Sequence, residues 1–186
     1  MPYDSAAAPR RAALRGPRLD LVPLGLEVLA ALAAGDVVGA QARLPFAITP
    51  AWAESVPAAR RHAQIVADRS VAPWLARAMV LRSERRAVGC VGCHDRPDAR
   101  GRVELGYQVL EGDRRRGYAR EAVETLLAWA RTRGATGLVL SISPDNVPSL
   151  RFAASLGLHR TGEQMDEIDG LEHVLEASLP LASRRE

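Results

Sequence analysis

Apolar residues along this chain follow two kinds of spacing, and the switch between them outlines the elements. Leu19–Pro23 predicts a first short strand, and Leu26, Leu29, Ala30 and Ala33 then recur at helical spacing within Leu24–Ala34 until Gly35 stops the helix. Thr49-Pro50 is an N-cap with proline at the first helical position, and Ala58–Asp68 continues as helix with Ala59, His62, Ala63 and Val66 along one side. From Trp74 the pattern shortens. Trp74–Arg82, Arg86–His94 and Val103–Leu110 are runs rich in Val, Leu and aromatic residues, broken by polar or Gly/Pro turns, which predict an antiparallel meander. Tyr118–Arg133 then sets Ala119, Ala122, Val123, Leu126, Leu127 and Ala130 in one helical stripe closed by Gly134. Leu138–Ile142 is a compact apolar strand, so Val103–Ile142 forms a strand, helix, strand unit whose strands run parallel through a right-handed crossover. A second short helix, Asn146–Leu156, is capped by Asn146 and stopped by Gly157, and His159–Ile168 and Leu171–Leu179 flank the hairpin signal Asp169-Gly170.

Composition narrows the chemistry. At 186 residues and 47% apolar the chain is expected to form a single domain, residues 18–182. Residues 1–17, with Pro2, Pro9 and Pro17, read as a flexible leader without a signal-peptide core. No apolar run approaches the ~18 residues of a membrane span, so no membrane partner and a cytoplasmic location are expected. All 25 basic residues are Arg, which excludes Schiff-base chemistry and the lysine of a Walker-type phosphate loop. A net charge of +3 is mild, so a basic cofactor cleft accounts for it and nucleic acid is not the expected partner. Cys90-Val91-Gly92-Cys93-His94 matches the short signature of c-type haem attachment, but it lies on a strand and lacks a second Cys/His pair. Neither haem nor metal is expected there, and the thiols read as a reduced, structural pair. His62 reads as packing or solvated rather than catalytic.

The chemistry concentrates between Leu110 and Tyr118. Glu111-Gly112-Asp113-Arg114-Arg115-Arg116-Gly117-Tyr118-Ala119 runs from a strand into a helix N-terminus, where free N–H groups and the helix dipole favour an anion and Gly117 allows close backbone approach. Three arginines add donors, although an Arg run before a helix is read equally well as a solvated basic face. Arg114-x-x-Gly117-x-Ala119 matches an Arg/Gln-x-x-Gly-x-Gly/Ala signature, and three further segments accompany it in order: Gly106-Tyr107-Gln108-Val109-Leu110, Asn146-x-x-Ser149 and Ser155-Leu156-Gly157-Leu158. On these motifs the chain resembles the GCN5-related N-acetyltransferases (GNAT) over residues 18–180. Glu104-Leu105-Gly106-Tyr107 with Asn146-x-x-Ser149 resembles the branch that includes ribosomal-protein N-terminal acetyltransferases.

The resemblance implies an α+β GNAT fold: a mixed, mostly antiparallel sheet of about seven strands, with splayed parallel strands 4 and 5, flanked by about four helices. It implies acetyl-CoA as cosubstrate, with pantetheine along the backbone of Val109, Leu110 and Glu111. The N–H groups of Arg116, Gly117, Tyr118, Ala119 and Arg120 would hold the pyrophosphate, Arg114 with Arg115 or Arg116 would add charge, and Asn146 and Ser149 would complete the cofactor site. Direct attack by a primary amine, a protein N-terminus or a small molecule, needs a base, and Glu104 occupies the position where relatives carry one. The N–H of Val109 or Leu110 would stabilise the oxyanion. Many relatives place Tyr seven residues after the Asn as general acid, but Ala153 stands there, which leaves Ser149 or, more distantly, Tyr107. The same departure keeps open a non-catalytic acyl-CoA sensor. The acceptor walls fall in Leu44–Asp68 and Met165–His173, where Asp166, Glu167 and Asp169 read as a charged hairpin tip more readily than as an amine site. A homodimer is compatible with the sequence.

Overall fold

The computed structural model describes residues 13–166 and 170–181. Its contacts divide into two compact units, one running to Cys93 and including Tyr107–Trp129, the other comprising His94–Gly106 and the chain from Ala130.

In the first unit β1 (Leu14–Arg15), β2 (Leu19–Pro23), β3 (Arg77–Leu81) and β4 (Arg86–Cys93) pair antiparallel in chain order. β1 lies within the stretch read as a leader. Among the described residues four α-helices precede β3. α1 (Leu26–Ala33) buries Val28, Leu29 and Leu32. α2 (Val37–Ala42) opens with Asp36 accepting from the Gly39 N–H. It leaves almost no periodic trace because it is six residues long and buries only Ala40. α3 (Pro50–Ser55) starts as expected, with Thr49 accepting from Trp52 N–H at 3.1 Å.

In α4 (Ala58–Ala67) the buried side is Ala58, Arg61 and Ile65, not the expected Ala59, His62, Ala63 and Val66. Alanines carry little area to bury, so the helix turns its largest aliphatic, Ile65, inward on the same side as the buried Arg61, leaving Val66 62% exposed. The core gathers Leu29, Trp52, Ile65, Leu75 and Val80. Trp74 stands before β3 rather than in it, edge-on to Trp129 with ring centroids 4.7 Å apart.

In the second unit the strand neighbours are β5 (Arg102–Val109), β6 (Gly137–Ile142), β8 (Gly170–Ser178) and β7 (His159–Asp166), in that order. β5 passes into the first unit after Gly106. β5 and β6 are parallel, as expected, with α5 (Tyr118–Arg131) as the crossover, and the ladder registers three pairs from Arg102↔Gly137 to Glu104↔Val139. β8 is antiparallel to both β6 and β7. α6 (Val147–Ser155) carries the expected Asn146 cap. The hairpin residues Glu167 and Asp169 lie outside the described residues.

Among the described residues the sheet strands number eight and the α-helices six. The extra strand is β1, which makes the parallel fourth and fifth strands β5 and β6; the extra helices are short. No helix among the described residues is long and apolar enough to cross a membrane.

Candidate functional site

The arginine loop joins β5 to α5 through a single 3-10 turn, Glu111–Asp113. Glu111 therefore opens a turn instead of extending the strand, because the Leu110 and Glu111 carbonyls accept from Asp113 and Arg114 N–H. Two residues then take left-handed conformations, Arg115 at φ 62° and Gly117 at φ 81°. For a non-glycine residue that conformation costs about 1–2 kcal/mol, strain of the kind that collects at ligand clamps. The first helical bond runs from Glu121 N–H to the Gly117 carbonyl, so the N–H groups of Tyr118 and Ala119 sit in the first turn ahead of it. Arg114 turns back, its Nε donating to the Val109 carbonyl at 3.2 Å.

Buried charge braces this loop from beneath. Asp113, 5% exposed, accepts two bonds from Arg86, at 2.7 and 2.9 Å. The Arg86 hydrogen bond holds the Asp113 carboxyl below the ordinary aspartate range. Burial works to raise the Glu121 carboxyl, but bonds from Arg18 N–H, the Arg18 side chain and Leu19 N–H outweigh it and leave it lowered. Arg18 also donates to the Arg116 carbonyl at 3.0 Å and lies 4.8 Å over the Tyr118 ring. Arg18, Arg86, Asp113 and Glu121 were not among the expected site residues. Glu121 had one visible mark, an acid in the first turn of a helix, where it complements the dipole.

Of the two candidate oxyanion donors, Leu110 is engaged: its N–H donates to the Val88 carbonyl at 2.9 Å. Strand groups alternate in direction, so the N–H of Val109 points to the side of β5 away from β4. Gly89 sets how closely the two strands meet, since a Cβ there would stand 2.2 Å from the Gln108 carbonyl oxygen.

In the second unit Glu104 projects from β5 with its side chain 34% exposed. Ser141 on β6 donates to Glu104 Oε1 at 2.7 Å, and His94 Nδ1 lies 3.5 Å from the same oxygen. The His94 ring also covers Gly106, whose Cβ would stand 3.0 Å from His94 Nε2. Sequence reasoning missed both partners. Ser141 had a signal, being the one hydroxyl in the apolar strand Leu138–Ile142. Asn146 spends its side-chain oxygen on the Ser149 N–H at 3.2 Å, as a helix cap. Ala153 is fully buried at the position of the missing phenol. Tyr107 belongs to the first unit and is half-buried.

The two thiols are free and buried. Burial pushes Cys90 up to about 11 and Cys93 up to about 12, so neither is a ready thiolate. Among the described residues no group of three or more His, Cys, Asp or Glu could hold a metal ion.

The acetyltransferase (GNAT) domain family matches residues 18–159. An uncharacterised N-acetyltransferase of Bacillus subtilis, YjdG, is 29% identical over 89 residues, which span 46% of this chain and about half, 53%, of that relative. Among solved structures, a ribosomal-protein-S5-alanine acetyltransferase from Vibrio fischeri superposes with a TM-score of 0.61 at 14% identity, covering 90% of this chain and 97% of that one. RimJ of Mycobacterium smegmatis, in complex with CoA-disulfide, superposes with a TM-score of 0.59 at 18% identity, covering 91% and 88%. At these identities the structures speak for the fold, and the family match carries the assignment: this chain belongs to the GNAT acetyltransferases.

Proposed function

We propose that the chain is an acetyl-CoA-dependent N-acetyltransferase whose acceptor is a primary amine, with a protein N-terminus as the leading class. The observation that carries this reading is the left-handed Arg115–Gly117 turn feeding the open first turn of α5, within a matched GNAT domain. Those N–H groups, with the guanidinium of Arg115 or Arg116, fit a pyrophosphate. Arg114 serves the loop instead, through Val109. The ribosomal-protein-S5-alanine acetyltransferase of like fold supports the acceptor class. Two buried, reduced thiols suit the cytoplasm.

In the proposed reaction Glu104 takes a proton from the amine: an α-amino group, with its ordinary pKa of about 7.7–8.0, is mostly charged at neutral pH, and an alkyl amine, at about 10.4, almost wholly so. The amine nitrogen bonds to the thioester carbonyl carbon, and the Val109 N–H stabilises the resulting oxyanion. The carbon–sulfur bond then breaks, the nitrogen sheds its second proton to Ser149, and Ser149 passes its own proton to the departing thiolate. A second reading, an acyl-CoA sensor, draws on Ala153 where relatives carry Tyr. Thiol release from acetyl-CoA, measured across Ser- and Ala-initiated peptides and small primary amines, separates the two. Turnover on at least one acceptor is expected; CoA binding with a flat panel would overturn the enzyme reading in favour of the sensor.

A further inference from the structure

The mechanism above rests on Glu104, but the reading of Glu104 as base says nothing of how its carboxylate is aimed. Both of its neighbours engage one oxygen. Ser141 Oγ donates to Oε1 at 2.7 Å, from a strand registered directly alongside, since Glu104 pairs with Val139 and Ser141 lies two residues on, on the same face. His94 approaches that oxygen at 3.5 Å, anchored where β4 ends by its own N–H donating to the Glu104 carbonyl at 2.8 Å. Its ring fills the space over Gly106, so a side chain at 106 would push it away. A half-exposed glutamate with neighbours on both sides is confined to one rotamer, whereas an isolated one samples several.

We infer that Ser141 and His94 are positioning residues: they pin Oε1 of Glu104 and thereby present Oε2 as the proton acceptor. Neither touches the reacting atoms in this scheme. The proton leaves the amine nitrogen for Glu104 Oε2, and Ser141 keeps its own. The inference deepens the proposed acetyltransferase reading and rests on it.

The test combines Ser141→Ala, Ser141→Thr, His94→Gln and Glu104→Gln with acetyl-CoA and whichever peptide or amine is turned over fastest. Ser141→Ala is expected to lower kcat about tenfold while KM for acetyl-CoA, CoA affinity and melting temperature hold. Ser141→Thr, which keeps the hydroxyl, is expected to restore most of the rate. The double variant Ser141→Ala/Glu104→Gln should be no slower than Glu104→Gln alone, since Ser141 acts only through that carboxylate. A full-rate Ser141→Ala enzyme, or additive losses, would overturn the positioning role while leaving Glu104 as base. An undiminished Glu104→Gln enzyme would instead remove the base reading itself. Crystal structures of the Ser141→Ala and His94→Gln variants give a readout independent of turnover: the Glu104 carboxylate should leave its present rotamer, and an unmoved side chain in both would sink the proposal.

Discussion

The loop that would hold the cofactor and the strand that would do the chemistry are held in place by opposite means. From Val109 to Arg120 the proposed working groups are backbone N–H donors with the Arg115 or Arg116 guanidinium, and other side chains serve as scaffolding: Asp113 on Arg86, Glu121 on Arg18 and the Arg18 and Leu19 amides. Around Glu104 the side chain is itself the proposed working group, and its supports are a serine on the neighbouring strand β6 and a histidine just past the end of β4. An anion needs many donors converging on a fixed point, which a strained turn and a helix start supply cheaply. A proton acceptor needs one group in one orientation near water, so deep burial in a salt bridge would disable it. Removing a support should therefore damage stability or affinity in the loop and turnover on the strand.

Glu104→Gln should break that contrast most sharply if it is wrong. The change keeps size and Ser141's partner but removes basicity, so kcat is expected to fall by about 10²–10⁴. CoA affinity by calorimetry and melting temperature should stay level, and a parallel loss of binding would show the strand and the loop to be one functional piece.

Glu121→Ala is next, and its damage should be to folding. It strands two backbone amides and the Arg18 guanidinium, of which Leu19 N–H is buried. The cost is about 2–4 kcal/mol, a drop in melting temperature on the order of 5–12 °C. Urea titration measures it; a loss under 1 kcal/mol, on the order of one ordinary hydrogen bond, would mean that the Arg18–Glu121 brace is decorative.

Asp113→Asn isolates one ion pair and gives it a pH signature. Because Arg86 holds the Asp113 carboxyl below its unfolded value, the pair's stability is fully present above about pH 4 and lost as pH falls through the lowered folded value. The variant should be about 1–2 kcal/mol less stable at pH 7. That gap should close as wild type is taken down through the acid range, and a gap constant from pH 7 to 3 would rule out the charge as its source.

The contrast between the two regions also explains what the sequence disclosed. The cofactor loop is contiguous, so Arg114, Gly117 and Ala119 announce themselves by spacing, and strand, turn and helix around them follow from periodicity alone. The support beneath the loop is not contiguous. Arg18 and Glu121 are 103 residues apart, and nothing local in Arg18 marks it as a partner of α5. The Glu104 cluster is assembled the same way, with Ser141 37 residues distant and disguised within an apolar strand. Periodicity shows which face a strand residue occupies, not which neighbour it meets, because register across a parallel crossover is set by packing of the intervening helix. The same limit produced the error on α4, where counting alanines as apolar hid the rotation that Ile65 imposes.

Gly117→Ala separates binding from chemistry with the smallest expected effect. An alanine can hold φ 81° only at a cost of about 1–2 kcal/mol, and its Cβ would stand 3.4 Å from Arg18 Nη2, which can yield. The fold should survive, and the loop should relax away from the left-handed turn or present a methyl where phosphate oxygens approach. CoA affinity is then expected to weaken about tenfold, equivalent to ~1.4 kcal/mol. At saturating acetyl-CoA, kcat should remain near wild type, the reverse of the Glu104→Gln pattern. If Gly117→Ala lowered kcat with affinity intact, the turn would be aligning the thioester and not anchoring the pyrophosphate, and the division of labour between loop and strand would have to be redrawn.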